Sequence, residues 1–144
     1  MVNDALDLAR RCAETMWSSD AASKSLGMAL EDVAPGRARL SMEVGPTMVN
    51  GHDICHGGFI ATLADSAFAF ACNSHGTVTV ASSFQIDFLE PAHLGDLLVA
   101  EARETTRRGR SGVYDVTVRG NNTVIAEFRG RSRQLSGSIV KEES

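Results

Sequence analysis

Helical and strand-like patterns of apolar residues follow one another along the chain. Over residues 4–17 apolar positions recur at helical spacing among charged ones, which predicts an amphipathic helix. Residues 18–27 are small and polar and predict a connection. From Arg37 to Val44 apolar and polar residues alternate strictly, which predicts a half-buried strand that Pro46 ends.

A second helix is predicted beyond Gly58, where the sequence FIATLADSAFAFACN is apolar on nearly all sides. This pattern is typical of a helix buried in the core, and it ends near Asn73–Gly76. Four strand-like runs complete the chain, at residues 78–89, 97–105, 112–119 and 123–133. The segments RRGR and GNN separate the last three as hairpin-like turns. Strands in succession predict an α+β fold, with an antiparallel sheet wrapped around one long central helix and an extra N-terminal helix.

Length and composition indicate one globular domain, residues 1–144, whose tail at 137–144 is expected to fray. A hydrophobic content of 43% with 22% charged residues excludes wholesale disorder. The net charge of -4 gives no basic surface for nucleic acid, and no stretch reaches the roughly 18 apolar residues of a membrane helix. The N-terminus lacks a signal-peptide pattern, and three widely spaced cysteines favour reduced thiols, so we expect a cytoplasmic protein.

Asp65 is a carboxylate in the middle of the most apolar helix. An unpaired carboxylate is costly to bury, so this residue requires an explanation. It could cap a helix or pair with an arginine, although its position two turns inside the helix argues against a cap. Buried ionisable groups cluster at active sites, which makes Asp65 a candidate catalytic residue.

Gly57 and Gly58 open the same helix, although glycine is a poor helix former. Either they form a tight turn, or they let a ligand approach the free N–H groups of a helix N-terminus, where an oxyanion would be stabilised. Gly57 and Asp65 are eight residues apart, or about 12 Å along the helix axis. One carbonyl cannot contact both within one helix. Two antiparallel copies of the helix can bring them together, which predicts at least a dimer if both residues are catalytic.

Other polar residues have weaker patterns. His52, Cys55 and His56 lie within five residues but lack an obvious fourth ligand, so no metal is expected. Asn50 could hold a water or a carbonyl, or serve as a turn residue. Three arginines around Gly109 form either a solvated hairpin tip or a grip for the phosphates of a nucleotide-like ligand: Arg107, Arg108 and Arg110.

At residues 48–74, MVNGHDICHGGFIATLADSAFAFACNS, the sequence resembles the signature of hotdog-fold thioesterases, in particular the phenylacetic-acid-degradation (PaaI-type) branch. The resemblance continues through VASSFQIDFLEPAHLGDLL at 80–98 and RRGRSGVYDVTV at 107–118, and covers roughly residues 26–135. It implies a hydrolase of acyl-CoA thioesters, with an aryl-acetyl-CoA as the expected substrate and no cofactor beyond the substrate's own coenzyme A. It also implies a homotetramer built from two dimers.

The resemblance also implies roles for individual residues. Asp65 matches the general base or nucleophile, and Gly57 matches the backbone donor that polarises the thioester carbonyl. Asn50 and His56 match loop residues of that half-site. Ser83 lies where related enzymes keep a hydroxyl near the attacking water; by strand alternation Ser82 shares the face of Val80, Phe84 and Ile86, so either serine fits. The remaining expected substrate contacts are Gly58, Phe59, Phe68, Ser82 and the arginines Arg107, Arg108 and Arg110.

Two other functions stay open from the sequence. A hotdog hydratase or dehydratase would use a catalytic histidine, for which His56 is the candidate, on an acyl thioester. A non-catalytic acyl-CoA-binding protein would keep the arginines but would not need a carboxylate in an apolar helix, so Asp65 counts against it. The acyl group is set by pocket shape and is not readable from the sequence.

Overall fold

The protein consists of one six-stranded sheet packed against one long helix. The computed structural model describes residues 4–141, so the ends of the predicted domain, residues 1–3 and 142–144, lie outside it. The elements are α1 (Asp4–Ser19), α2 (Ala21–Ser25), β1 (Ala29–Ala34), β2 (Arg37–Glu43), α3 (Gly57–Cys72), β3 (Thr77–Phe88), β4 (Leu97–Arg108), β5 (Ser111–Gly120) and β6 (Thr123–Ser138). The strand order is β1-β2-β4-β5-β6-β3, and every strand pair is antiparallel. The predicted antiparallel sheet around a central helix is confirmed.

The core lies between α3 and the face of the sheet that packs against it. Leu63, Ala64 and Ala67 are fully buried on α3, and alternate residues of β2, β4, β5 and β6 meet them from the sheet. Phe68 extends from α3 into an aromatic cluster with Tyr114 and Phe128, at ring-centroid distances of 5.6 and 5.8 Å. We call this sheet face the inner face and the opposite face the outer face.

Both predicted hairpin turns are present. Gly109 and Arg110 connect β4 to β5, and Asn121 and Asn122 connect β5 to β6. The two asparagines have φ values of 52° and 65°, the backbone conformation that two-residue hairpins require and that asparagine tolerates.

The predicted alternation of residues 78–89 is wrong at one point. The register of β3 against β6 shifts between Ala81 and Ser83, which leaves Ser82 as an extra, bulged residue. An extra residue inverts the alternation of faces. Val80 pairs with Arg133 on the outer face, whereas Phe84 pairs with Gly130 on the inner face, so these two apolar residues do not share a face.

Several predicted boundaries also differ. The segment 18–27 was predicted as a connection, but it contains α2, which Asp20 caps by accepting hydrogen bonds from the backbone N–H and the hydroxyl of Ser23. Two strands, β1 and β2, precede α3. The β4 and β6 strands run past their predicted ends because backbone pairing continues where the side chains are polar. Gly137 and Ser138, placed in the fraying tail, belong to β6.

Candidate active site

Asp65 lies on the least covered side of α3. Five of the α3 residues that keep some exposure fall at spacings of three and four and so form one stripe, which we call the open stripe: Gly58, Ala61, Thr62, Asp65 and Ala69. The other side of the helix is buried against the sheet. The Ser66 hydroxyl, on that buried side, is 2.9 Å from the hydroxyl of Ser23 in α2. Asp65 therefore points away from the core of its own chain, on a helix fixed from behind.

The Asp65 carboxylate has no compensating partner among the residues that the structure describes. Within residues 4–141 no hydrogen bond or ion pair involves it, so neither the cap nor the arginine pair considered above is present. Burial raises the pKa of Asp65 above its ordinary value of 3.8. A half-buried carboxylate that is destabilised in its charged form and left unpaired is a typical feature of an acid–base site.

The N-terminus of α3 offers free hydrogen-bond donors. His56 is the N-cap residue, and its side chain makes no capping hydrogen bond. The N–H groups of Gly57 and Gly58 have no acceptor in the part of the chain that the structure describes. These two N–H groups, at the positive end of the helix dipole, are placed to bind a developing oxyanion.

The two glycines have different surroundings. A Cβ built on Gly57 would lie 2.7 Å from Cζ of Phe88, so a side chain at this position would require that ring to move. No heavy atom lies within 4 Å of a Cβ built on Gly58, which faces open space. Neither glycine has a positive φ, so the tight-turn explanation is not supported. Packing within the chain explains Gly57, but it does not explain Gly58.

The loop before α3 is organised by Asn50. Its amide oxygen accepts hydrogen bonds from the N–H groups of His52 and Ile54, at 2.9 and 3.1 Å. Its own N–H donates to the carbonyl of Ile54. This is an Asx-type turn, so within one chain Asn50 shapes the loop. Only its side-chain N–H₂ group stays available to a ligand.

No metal cluster forms at this loop. Among residues 4–141, no group of three or more His, Cys, Asp and Glu side chains has the arrangement of a metal site. The Cys55 thiol is buried and donates to the carbonyl of His56 rather than contacting its imidazole. His56 itself is exposed.

Ser82 and Ser83 differ because of the bulge. The Ser82 hydroxyl donates to the carbonyl of Arg131 across the bulge, at 3.1 Å. Ser83 pairs with Arg131 and so lies on the outer face, away from α3 of its own chain. Both are exposed on β3, which has a strand partner on one side only among the described residues.

The two phenylalanines predicted to contact the substrate differ in burial. Phe59 is partly buried near the start of α3, whereas Phe68 is 1% exposed and contacts Tyr114 and Phe128. A substrate could reach Phe68 only by opening the core. The structure therefore gives Phe68 a packing role.

The three arginines lie at the opposite end of α3 from Gly57. Arg107 contacts Glu104 at 3.5 Å, and Arg107 also lines a small space beside Cys72 at the end of α3. Arg108 and Arg110 are exposed, and neither forms an ion pair within the described residues. These two guanidinium groups are therefore free to bind an anion.

Residues 4–141 of one chain do not bring the candidate groups together in one site. Asp65 and Gly57 are on one helix, about 12 Å apart along its axis. A cavity of about 770 Å³ lies at the far end of α3, lined among others by Arg11, His75 and Lys141, and neither candidate residue contributes to it. The candidate catalytic groups could therefore meet at one substrate only if a second chain brought its own copy of α3 beside this one.

Sequence reasoning missed two features of this region. Phe88 was recognised only as an apolar strand residue, but its ring covers the first residue of α3. Glu104, His75 and Tyr114 form a hydrogen-bonded cluster at the other end of the helix. Both features depend on contacts between residues far apart in sequence, for which no local pattern exists.

Comparison with known proteins agrees with the geometry. The family model of the thioesterase superfamily matches residues 52–126, more than half of the chain. The acyl-coenzyme A thioesterase PaaI of Escherichia coli (strain K12) is 43% identical over 131 residues, covering 90% of this chain and 94% of that protein. The structure of an E. coli PaaI protein from the phenylacetic acid degradation operon aligns with a TM-score of 0.91 at 40% identity, covering 93% of this chain and 98% of that one.

A second solved structure, the TT0310 protein of Thermus thermophilus, is 36% identical with a TM-score of 0.78, covering 81% of this chain and 98% of that one. The matched range of the family model includes α3 and the last residues of the loop before it, and the match to the E. coli thioesterase covers 90% of the chain. The hotdog fold that the sequence resemblance implies is confirmed, and the chain belongs to the thioesterase superfamily.

Proposed function

We propose that this protein hydrolyses acyl-CoA thioesters to the free acid and coenzyme A, at sites shared between two chains. The observation that carries the proposal is the unpaired Asp65 carboxylate, whose pKa is raised by burial, on the open stripe of α3. The 43% identity to an acyl-coenzyme A thioesterase supports the same activity.

A two-fold axis near Ala61 would assemble the site. Ala61 lies midway between Gly57 and Asp65, so an antiparallel partner helix crossing there would place its Gly57 N–H beside Asp65. Close helix approach needs small residues at the crossing, and the open stripe supplies Gly58, Ala61 and Ala69. Both sites of the dimer would form in this way.

The edge of the sheet supports the same pairing. β3 is an edge strand, and one of its sides has no strand partner among the described residues. Three of its apolar side chains are nearly half exposed: Val80 at 43%, Phe84 at 48% and Phe88 at 49%. An exposed apolar edge strand normally pairs with another strand. Antiparallel pairing of β3 with its copy would cover this edge and bring the two α3 helices side by side.

In the proposed mechanism a water molecule attacks the thioester carbon. Asp65 accepts the proton of that water, and the Gly57 N–H of the partner chain stabilises the oxyanion. The tetrahedral intermediate then expels the coenzyme A thiolate, which takes up a proton, so one water is consumed for each acid and thiol released. Direct attack by the carboxylate through a mixed anhydride is the other route. In either route Asn50 would hold the loop and His56 would lie beside the N-terminus of α3.

The arginines of the β4–β5 turn would bind the nucleotide of coenzyme A. With the axis near Ala61, the loop before the partner's α3 would lie along the C-terminal part of this α3, next to Arg107. Arg108 and Arg110, which are exposed and form no ion pair within residues 4–141, would contact the phosphates. Gly58, Phe59, Ser82 and Ser83 would line the path of the acyl and pantetheine groups.

Finer features of the proposal rest on the relatives and on composition. An aryl-acetyl group is the proposed acyl group, because one relative comes from a phenylacetic acid degradation operon. Association of two dimers into a tetramer rests on the family resemblance. A cytoplasmic location is supported by three buried, unpaired cysteines. No helix in residues 4–141 is long and apolar enough to cross a membrane. No cofactor is required by the proposed chemistry.

The test is the Asp65→Asn variant, assayed by thiol release from aryl-acetyl, benzoyl and straight-chain CoA esters. Loss of a general base is expected to lower kcat by about 10²- to 10⁴-fold while the fold is retained. The matched control is Asp32→Asn, because Asp32 is exposed in β1 at the other edge of the sheet from β3.

Near-normal turnover by Asp65→Asn would exclude the proposed role of this carboxylate. Following enoyl absorbance with the same variants tests the hydratase hypothesis. Tight binding without thiol release would favour a non-catalytic binding protein. Sedimentation at the assay concentration tests the dimer, and a fully active monomer would contradict the shared site.

A further inference from the structure

The ring of Phe88 rests on the first residue of α3. The three nearest heavy atoms to a Cβ built on Gly57 are all ring atoms of Phe88, with Cζ at 2.7 Å and Cε1 and Cε2 at 3.1 Å. The tip of the ring therefore touches the backbone whose N–H is the proposed oxyanion donor. This contact joins the last residue of β3 to the start of the catalytic helix.

Phe88 is held firmly at its own end. Its backbone pairs with Ala126 of β6, and the next N–H, from Leu89, donates to the carbonyl of Ile125 at 2.8 Å. The ring is thus carried by the sheet, whereas the start of α3 has no side-chain cap of its own. Backbone hydrogen bonds from Cys55 to Ala92 and from His56 to Met48, at 2.8 and 2.9 Å, also hold the chain just before α3, but neither involves Gly57.

We infer that Phe88 is a positioning residue, which fixes the Gly57 N–H in the direction that oxyanion binding needs, and that a side chain at position 57 would have to displace its ring. The inference rests on the proposed function. A donor contributes to the transition state only if it is aligned, and a misplacement of about 1 Å can cost about 100-fold in rate. The Gly57 N–H itself has no acceptor among the described residues, so a packing contact such as the Phe88 ring is needed to restrain its direction.

Phe84 provides a matched comparison on the same strand face. It is 48% exposed, against 49% for Phe88, and it also lies on the inner side of β3. Its ring stacks on Phe128 at 4.9 Å, in the core. Both rings would contribute similar apolar area to pairing of β3, but only Phe88 is in contact with Gly57.

The experiment is a double-mutant cycle of Gly57→Ala, Phe88→Leu and the pair, with kcat and KM measured by thiol release and Tm measured for each protein. Phe88→Leu removes Cζ, Cε1 and Cε2, the atoms that a Cβ on residue 57 would meet. It is expected to lower kcat roughly tenfold and to change KM less than about twofold, because the aligned donor acts mainly in the transition state.

Gly57→Ala keeps the backbone N–H but forces the new methyl group against the ring. Its kcat and Tm are expected to fall when Phe88 is present. When it is combined with Phe88→Leu, the same substitution is expected to have little further effect, because the clashing atoms are gone. Phe84→Leu shows how much of any loss arises from weakened pairing of the strand face, since it removes the same atoms without touching Gly57.

A kcat of Phe88→Leu equal to that of the wild type would overturn the positioning role. A fold-loss of kcat in the double variant equal to the product of the fold-losses of the two single variants would overturn it as well. The second result would mean that glycine is needed for something other than Phe88. Absence of thiol release by the wild type would instead refute the proposed function together with this role. An active wild type and an inactive Asp65→Asn, combined with an unaffected Phe88→Leu, would refute the positioning role alone.

Discussion

Replacing Tyr114 with phenylalanine removes one hydroxyl from the far end of the core. Tyr114 is fully buried, and its hydroxyl donates to Oε1 of Glu104 at 2.8 Å. The same oxygen is 2.8 Å from Nε2 of His75 and 3.5 Å from Nε of Arg107. The substitution therefore removes one of three contacts to a half-buried carboxylate and leaves the aromatic packing on Phe68 intact.

The contacts set the size of the expected effect. A hydrogen bond to a charged group contributes about 1.5–3 kcal/mol. Because His75 and Arg107 continue to contact Glu104, the carboxylate is not left alone, and the lower end of that range applies. We therefore expect the free energy of unfolding to fall by about 1.5 kcal/mol, which corresponds to a Tm lower by roughly 5 °C in a chain of this length.

The loss should depend on pH in a defined direction. Burial by itself raises the pKa of Glu104, but hydrogen bonds from Tyr114 and His75 and the charges of His75 and Arg107 outweigh it and hold the pKa below its ordinary value of 4.5. A lowered carboxyl pKa contributes stability above the unfolded-state value, and this contribution is lost as pH falls through the folded-state value. The cost of Tyr114→Phe is thus expected to be full at neutral pH and to shrink below about pH 4.5.

The assay is urea unfolding of the wild type, Tyr114→Phe, Glu104→Gln and the double variant at one protein concentration, since association shifts apparent stability. The tyrosine hydroxyl should be worth less opposite a neutral glutamine than opposite the carboxylate. A change in unfolding free energy of less than about 0.5 kcal/mol at pH 7, the range of neutral surface substitutions, would refute this account of the cluster.

Burial of ionisable groups sets three other expected outcomes. A general base must be ionised, and burial raises the pKa of Asp65, so kcat is expected to fall with decreasing pH through an inflection above pH 3.8. An inflection at or below pH 3.8 in the pH–rate profile would contradict the role of Asp65 as a base. Asp65→Asn is expected to raise Tm at neutral pH, because it removes the charge of an unpaired carboxylate, and to lower activity, because it removes the base. A lower Tm in calorimetry would indicate that Asp65 has an unrecognised partner. Burial raises the pKa of Cys72 to about 12, so alkylation by iodoacetamide at about pH 8 is expected to be slow until the protein is unfolded, as mass spectrometry of the labelled peptide would show.

Much of the fold could be predicted because local patterns carry it. The apolar run around Leu63 and Ala67 indicated a buried helix, and Asn121–Asn122 marked a hairpin whose backbone asparagine tolerates. The bulge at Ser82 was not predictable, because it changes the pairing with β6 without leaving a mark in composition. The short helix α2 was missed, since small polar residues favour turns and caps equally.

Only some of the site could be predicted from the sequence, because local patterns show the type of a residue but not its distant contacts. A carboxylate in an apolar helix is visible in the sequence, so Asp65 was identified by its chemistry, and the structure adds that no partner compensates it within residues 4–141. Phe68 was expected to meet a ligand, but it packs in the core. An aromatic residue on a helix has the same local pattern whether it contacts a substrate or another ring.

The sequence by itself determined the order of the main elements, apart from α2 and β1, together with the central helix and the chemical types of groups on it, because these depend on neighbours along the chain. Only the tertiary structure decided which residues meet: that Asp65 lies on the open stripe, that Ser83 lies on the outer face, and that Phe88 covers Gly57. These outcomes depend on strand register and on packing between distant segments, where a shift of one residue inverts a face.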